Sequence, residues 1–108
     1  MAIASAASGE IVDVGPLGDA LAGSRTTALV NAASLKVTRL VVPAGKDIPE
    51  HAATGDITVQ CLEGVVDFAA GGRTQRLAAG KLLYLAACTP HALRGVEDAS
   101  VLVTMVLR

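Results

Sequence analysis

The fold of this chain is indicated most clearly by two segments, Gly45-Lys46-Asp47-Ile48-Pro49-Glu50-His51 and, further on, Leu62-Glu63-Gly64. Each segment contains a glycine, which adopts turn conformations that other residues avoid. Between them lies Ile57–Leu62, whose apolar and β-branched residues favour a strand. We therefore expect a glycine turn that leads to His51, then a strand, then a hairpin turn at Gly64 with the Glu63 side chain exposed.

A second stretch, nearer the C-terminus, also joins a glycine turn to a histidine. Leu77-Ala78-Ala79-Gly80 supplies the turn, Leu82–Leu85 is a short apolar strand, and Thr89-Pro90-His91 follows it. His51 and His91 are the two histidines of the chain. Each histidine therefore comes after one of the two glycine turns.

The remaining sequence consists mostly of short segments rich in Val, Leu, Ile and Thr, separated by Gly and Pro. Many short strands at regular spacing indicate an antiparallel sandwich or barrel. Pro16–Ala22 is the one helix candidate, because Pro16 can begin a short helix and Gly23 can end it. The predicted strands are Arg25–Val30, Leu35–Val42, Ile57–Leu62, Val65–Ala70, Arg73–Leu77, Leu82–Leu85 and Ser100–Leu107.

Length and composition suit a single small domain. The chain has 108 residues, of which 52% are hydrophobic and 18% charged. A domain of this size has too little interior to bury so much apolar material, so we expect a homodimer that covers part of it. Residues 1–10 are rich in Ala and Ser and are predicted to form a loose N-terminal arm, and residues 11–108 the domain.

Several classes of function are disfavoured by the same numbers. A net charge of −1 and an aromatic content of 2% argue against nucleic-acid binding, which needs a basic surface and stacking side chains. The longest apolar run, Leu82–Cys88, is far shorter than the roughly 20 residues of a membrane span. Residues 1–10 lack a basic start and a long apolar segment, so no signal peptide is expected. The predicted location is the cytoplasm, where the two cysteines are expected to be free thiols.

The two histidine stretches resemble the two sequence motifs of the cupins, the RmlC-like superfamily. The motifs occur in the expected order and separation, and they span Gly45 to His91. This resemblance implies an all-β fold, a double-stranded β-helix (jelly-roll) barrel, here preceded by a short N-terminal arm. It also implies a pocket inside the barrel.

The resemblance further implies where a metal site would lie. In metal-binding cupins the first motif provides two histidines and a glutamate, and the second motif provides a third histidine. His51 and His91 match the first and last of these positions, whereas Ala53 and Ile57 occupy the other two. Two protein ligands hold a divalent ion weakly. The expected cofactor is therefore a divalent metal held weakly by His51 and His91, or none, with Cys61 as a further candidate donor.

A ligand pocket is predicted from the alternation of side chains along the strands. Ile57, Val59 and Cys61 share one face of their strand, and with His51 and His91 they are the predicted ligand-binding residues. An apolar wall with a few polar groups is typical of small-molecule sites. The sequence leaves two choices open. The last strand turns inward either Val101, Val103 and Met105 or Leu102, Thr104 and Val106, and Tyr84 points either into the pocket or outward.

The predicted function is a small-molecule-binding barrel with a degenerate metal site, whose ligand carries one acidic or carbonyl group. The alternative is a metal-dependent enzyme of dioxygenase or isomerase type with an unidentified third ligand. A metal-free isomerase or lyase would instead use one histidine as general base. A third hypothesis is a structural or partner-binding module without a cavity. No catalytic residue is assigned.

Overall fold

Residues 5–107 are described by the computed structural model. The first four residues of the predicted arm and Arg108 lie outside this range. The described residues form an all-β fold of seven strands and one 3₁₀ helix, Gly18–Gly23. The strands are β1 Thr27–Asn31, β2 Leu35–Val42, β3 Asp47–His51, β4 Ile57–Ala70, β5 Arg73–Ala78, β6 Leu82–Leu85 and β7 His91–Val106.

The two long strands β4 and β7 form the centre of the fold. They pair with each other antiparallel from Ile57↔Met105 to Ala70↔His91, and the register shifts between Cys61 and Val66. On one side of these shifts β4 pairs with β6 and β7 with β2; on the other side β4 pairs with β5 and β7 with β3. The sheet therefore bends there into two layers. The first layer holds β1, β2 and β6, and the second holds β3 and β5.

Glycines permit the close backbone approach at this bend. Gly64 has a φ of 76°, and a Cβ there would overlap the backbone carbonyl of Asp98. A Cβ on Gly95 would likewise overlap the carbonyl of Pro43. Larger residues would push these backbone segments apart, so the bend depends on both glycines.

The core lies between the layers and follows the alternation of the strands. In β4 the buried residues are Ile57, Val59 and Cys61 before the bend, and Val66 and Phe68 after it. In β7, Val101 is buried, and Val103 and Met105 pack against the core. The last strand therefore turns the set Val101, Val103 and Met105 inward. Tyr84 is exposed on β6, so its ring points outward.

Some predicted elements differ from those observed. Ile57–Leu62 and Val65–Ala70 were predicted as two strands, but β4 is continuous because Gly64 bends the strand instead of ending it. The strand predicted from Ser100 begins already at His91. β3 was not predicted; it contains Pro49, and proline within a sheet is confined mainly to edge strands and bulges. The predicted helix is a 3₁₀ helix that begins at Gly18 instead of Pro16.

The prediction that Glu63 is exposed is wrong. Its carboxylate accepts hydrogen bonds from the backbone N–H groups of Leu17 (2.8 Å) and Gly18 (3.0 Å) and from the Ser100 hydroxyl. Arg39, which is buried, donates from Nη2 to the carbonyl of Gly15 at 2.9 Å. The chain entering the 3₁₀ helix thus crosses the bend and covers Glu63. The sequence gives no sign of this contact because its partners lie 37 to 46 residues away.

We expect Gly64→Ala to destabilise the fold far more than Gly80→Ala. Both glycines have positive φ, which costs a non-glycine residue about 1–2 kcal/mol. Only at Gly64 does the added Cβ also meet backbone; at Gly80 nothing lies within 4 Å. Urea unfolding should therefore show a loss of about 3 kcal/mol or more for Gly64→Ala and about 1–2 kcal/mol for Gly80→Ala. Equal losses would show that the close approach at the bend contributes nothing.

We also expect the Glu63 carboxylate to make stability depend on pH. Burial alone would raise the pKa of Glu63, but the hydrogen bonds from Leu17, Ser100 and Gly18 outweigh this and lower the pKa. The stabilisation is then complete above the unfolded-state value of about 4.3 and is lost as the pH falls through the lower folded-state value.

The test is urea unfolding of Glu63→Gln between pH 7 and pH 3. At pH 7 the variant should lose about 1–2 kcal/mol, since hydrogen bonds to a charged acceptor are replaced by weaker ones. The difference from wild type should shrink at the acid end. Glu97→Gln is the matched control, because Glu97 is exposed. Identical pH profiles for the two variants would contradict the role of Glu63.

Candidate functional site

A cavity of about 150 Å³ lies between the two layers. Its wall is mainly apolar. The first layer contributes Leu40, Ile57, Val59, Val103 and Met105, the second layer contributes Phe68 and Leu93, and Ala53 follows β3. The polar side chains on the wall are Lys36, Thr38, His51 and His91. Because residues of both layers line it, the cavity is the space that the bent sheet encloses.

The structure brings four of the five predicted ligand-binding residues to this cavity. His51, His91, Ile57 and Val59 line it. Ile57 and Val59 are almost completely buried, as their shared face on β4 predicted. Whether they contact a ligand remains a prediction.

Cys61, the fifth predicted residue, lies off the cavity wall. Its thiol donates hydrogen bonds to the carbonyls of Glu63 (3.3 Å) and Gly64 (3.5 Å), within the bend. Burial raises the pKa of the Cys61 thiol, although a hydrogen bond that the sulfur accepts from the backbone of Glu63 opposes this. Cys61 therefore supports the bend in its protonated form, which is a poor metal donor. Strand alternation correctly placed Cys61 on the same face of β4 as Ile57 and Val59. It could not show that the cavity ends at the bend, before Cys61 is reached.

The two histidines lie side by side at one end of the cavity. His51 in β3 pairs directly with His91 in β7, and their ring centroids are 4.3 Å apart. His91 is buried and stacks on Phe68, with centroids 5.5 Å apart and an interplanar angle of 11°. His51 is exposed. His91 is thus held inside the barrel, and His51 stands at the opening.

The same backbone contact orients both rings. Nδ1 of His51 lies 2.9 Å from the carbonyl oxygen of Pro49, and Nδ1 of His91 lies 2.9 Å from that of Thr89. A carbonyl only accepts, so Nδ1 carries the hydrogen in each ring. Nε2 remains as the ring nitrogen available to a ligand, and in the neutral ring it is an acceptor.

The donor set does not fit a resident metal ion. Within residues 5–107 no group of three or more His, Cys, Asp or Glu side chains is arranged to hold one. The carboxylate of Asp56 accepts a hydrogen bond from the backbone N–H of Ala87 at 2.9 Å, and Glu50 is exposed. A fixed site needs at least three protein ligands, and His51 and His91 supply two.

Lys36 and Thr38 are cavity residues that the sequence analysis missed. They alternate with Val37 on β2 and share a face with Leu40. Pairing β2 with β7 would have revealed this inward face of β2. Lys36 pairs with Met105 and Thr38 with Val103, and both partners face inward. Because lysine and threonine are mostly found on solvent-exposed faces, residue type gave no indication that Lys36 and Thr38 line the cavity.

Comparison with known families identifies the fold class. Residues 38–107 match the model of the cupin domain, and the chain belongs to that family. This agrees with the bent antiparallel barrel and with the two histidines at the motif positions. No curated protein matches the sequence. No helix within residues 5–107 is long and apolar enough to span a membrane.

Several solved structures share this fold. A cupin-superfamily protein from Desulfitobacterium hafniense has a TM-score of 0.74 at 18% identity, over 77% of this chain and 76% of that one. A conserved protein of unknown function from Streptococcus pyogenes has a TM-score of 0.76 at 24% identity, over 100% and 96%. The DMSP lyase DddQ from Ruegeria pomeroyi has a TM-score of 0.69 at 24% identity, over 77% and 47%. These likenesses establish the fold alone.

We expect elemental analysis to find far less than one equivalent of metal per chain. The test uses tag-free protein incubated with iron, zinc and manganese and then dialysed, because two imidazoles release a divalent ion readily. His51→Ala and His91→Ala should give the same low content as wild type. Near one equivalent of a single metal, lost in both variants, would reveal a third ligand and favour the metal-dependent enzyme.

Proposed function

We propose that this cupin binds a small, largely apolar molecule in the cavity between its layers, without a resident metal. The observation that carries the proposal is the pairing of an apolar wall with two histidines whose rings are fixed by backbone carbonyls. Apolar pockets with a few oriented polar groups are typical ligand sites. The wall provides affinity, and the histidines orient the ligand.

The cavity size limits the ligand. An apolar cavity of about 150 Å³ in another protein takes one benzene molecule, and this cavity has the same volume. A ligand of this size gains little beyond the cost of association, so we expect a Kd on the order of 1 mM. The ligand core is therefore about the size of one six-membered ring.

The histidine tautomer limits the polar group of the ligand. The sequence led us to expect an acidic or carbonyl group beside His51 and His91. Because Nδ1–H of each ring already donates to backbone, neutral Nε2 accepts and pairs best with a hydroxyl or other hydrogen-bond donor. A carbonyl group, which only accepts, does not suit it.

Phenol and toluene form a matched pair of probes for this site. They have similar shapes, but only phenol offers a donor to Nε2. We expect both to bind with a Kd on the order of 1 mM, and phenol several-fold more tightly because a hydrogen bond contributes about 1 kcal/mol. Two-dimensional NMR titration of labelled protein measures both affinities and locates the shifts at Ile57 and Val103.

Three variants, one of them a control, distinguish the contribution of the apolar wall from that of the histidines. Val103→Phe should abolish binding of both probes by filling the cavity, whereas Val37→Phe, the same change at a β2 residue outside the cavity lining, should not. His51→Ala should reduce the preference for phenol, because one of the two Nε2 acceptors is lost, and leave toluene unchanged, since His51 is exposed and its loss creates no core cavity. Absence of binding by either probe to the folded wild type would overturn the proposal.

The remaining predictions concern enzymatic activity, oligomeric state and location. The alternative of a metal-dependent enzyme with an unidentified third ligand stays a prediction, although residues 5–107 contain no group of three His, Cys, Asp or Glu side chains that could hold an ion. A metal-free isomerase or lyase with a histidine base stays a prediction; neutral Nε2 of either ring is competent to take a proton. The homodimer and the cytoplasmic location also stay predictions. Exposed Leu82 and Tyr84 on β6 are apolar side chains that a second copy would be expected to cover.

A further inference from the structure

Lys36 is a charged side chain on a mainly apolar cavity wall. It is half-buried, lies near the start of β2, and lines the same cavity as His51 and His91. Its register partner is Met105, which also lines the cavity. The proposed function, built on the apolar wall and the histidines, leaves Lys36 without a role.

No acidic group neutralises Lys36 in the described part of the chain. The ion pairs there join Arg76 to Asp67 and Arg94 to Asp47, and the Lys36 side chain forms neither a hydrogen bond nor an ion pair within residues 5–107. No Asp or Glu lines the cavity. Lys36 is therefore the one Lys, Arg, Asp or Glu residue among the lining residues of this range.

The half-buried Lys36 side chain lines the cavity and has no acidic partner within residues 5–107, so an anion bound there would have an unpaired lysine within reach. Burial costs a charge its hydration, and an opposite charge recovers much of that cost in surroundings of low polarity. The surrounding wall is apolar, so the attraction is screened less than at the surface. A histidine whose Nε2 acts as an acceptor offers no donor to a carboxylate, whereas the lysine side chain has only donors.

We propose that Lys36 makes the cavity selective for a small carboxylate, whose anionic group pairs with the ammonium while a hydroxyl donates to a histidine. This inference rests on the proposed function, because it assigns the charge of the ligand in the same cavity. The geometry supports two separate polar contacts. Lys36 belongs to the first layer, whereas His51 and His91 belong to the second, and packed sheet layers lie about 10 Å apart.

The test compares 3-hydroxybenzoate with 3-hydroxybenzamide by NMR titration. Both carry the ring and the hydroxyl, and they differ in the charge of the second group. We expect the wild type to bind the carboxylate about tenfold more tightly, because only the carboxylate places an opposite charge beside the ammonium. This preference should decrease in 1 M NaCl, where the Debye length is only about 3 Å.

Lys36 variants identify the source of the preference. Lys36→Met should remove the preference by weakening carboxylate binding about tenfold and leaving the amide unchanged, and Lys36→Arg should retain it. Lys81→Met is the control for net charge, because Lys81 is exposed and lies outside the cavity lining; it should behave as wild type.

The outcomes separate this inference from the proposed function. Equal binding of both probes by the wild type, or an unchanged preference in Lys36→Met, would overturn the role of Lys36 while the cavity remained a binding site. No binding of either probe, together with no binding of phenol and toluene, would overturn both proposals.

Discussion

Two close backbone contacts at the bend hold the layers of this fold in position. Gly64 against Asp98 and Gly95 against Pro43 leave no room for a Cβ. These contacts allow β4 and β7 to turn from one layer into the other without interruption. The cavity, the facing positions of Lys36 and the histidines, and the covering of Glu63 by the N-terminal segment all follow from them.

The site combines two histidines in fixed orientations with an apolar wall that does little to distinguish ligands of similar size. Each histidine uses the carbonyl two residues before it to fix its tautomer, so ring orientation is set within each motif and does not need a metal. In the metal-binding cupins described by the motif, further ligands would occupy the positions of Ala53 and Ile57. Here Ala53 and Ile57 extend the apolar wall, so this end of the barrel offers fewer metal ligands and more apolar surface.

The sequence allowed the fold and part of the site to be predicted, for identifiable reasons. His51 and His91 belong to local motifs, and Ile57 and Val59 follow the two-residue period of a strand. Their places in the pocket could therefore be predicted without tertiary information. Lys36 was missed because residue type suggested a solvent face. Cys61 and Glu63 were misjudged because the bend determines their surroundings, and its contacts join residues distant in sequence.

The continuity of β4 and β7 also bears on how a molecule would reach the interior. Each strand passes from one layer to the other as a single hydrogen-bonded ribbon, so the layers have no linker about which to swing apart. Within residues 57–106, the layers therefore offer no linker for a hinged opening of the kind that takes microseconds to milliseconds. Passage would instead depend on rotamer changes of rim side chains such as exposed His51, which take picoseconds to nanoseconds. Exchange with solvent should accordingly be fast, and occupancy should track the surrounding concentration without delay.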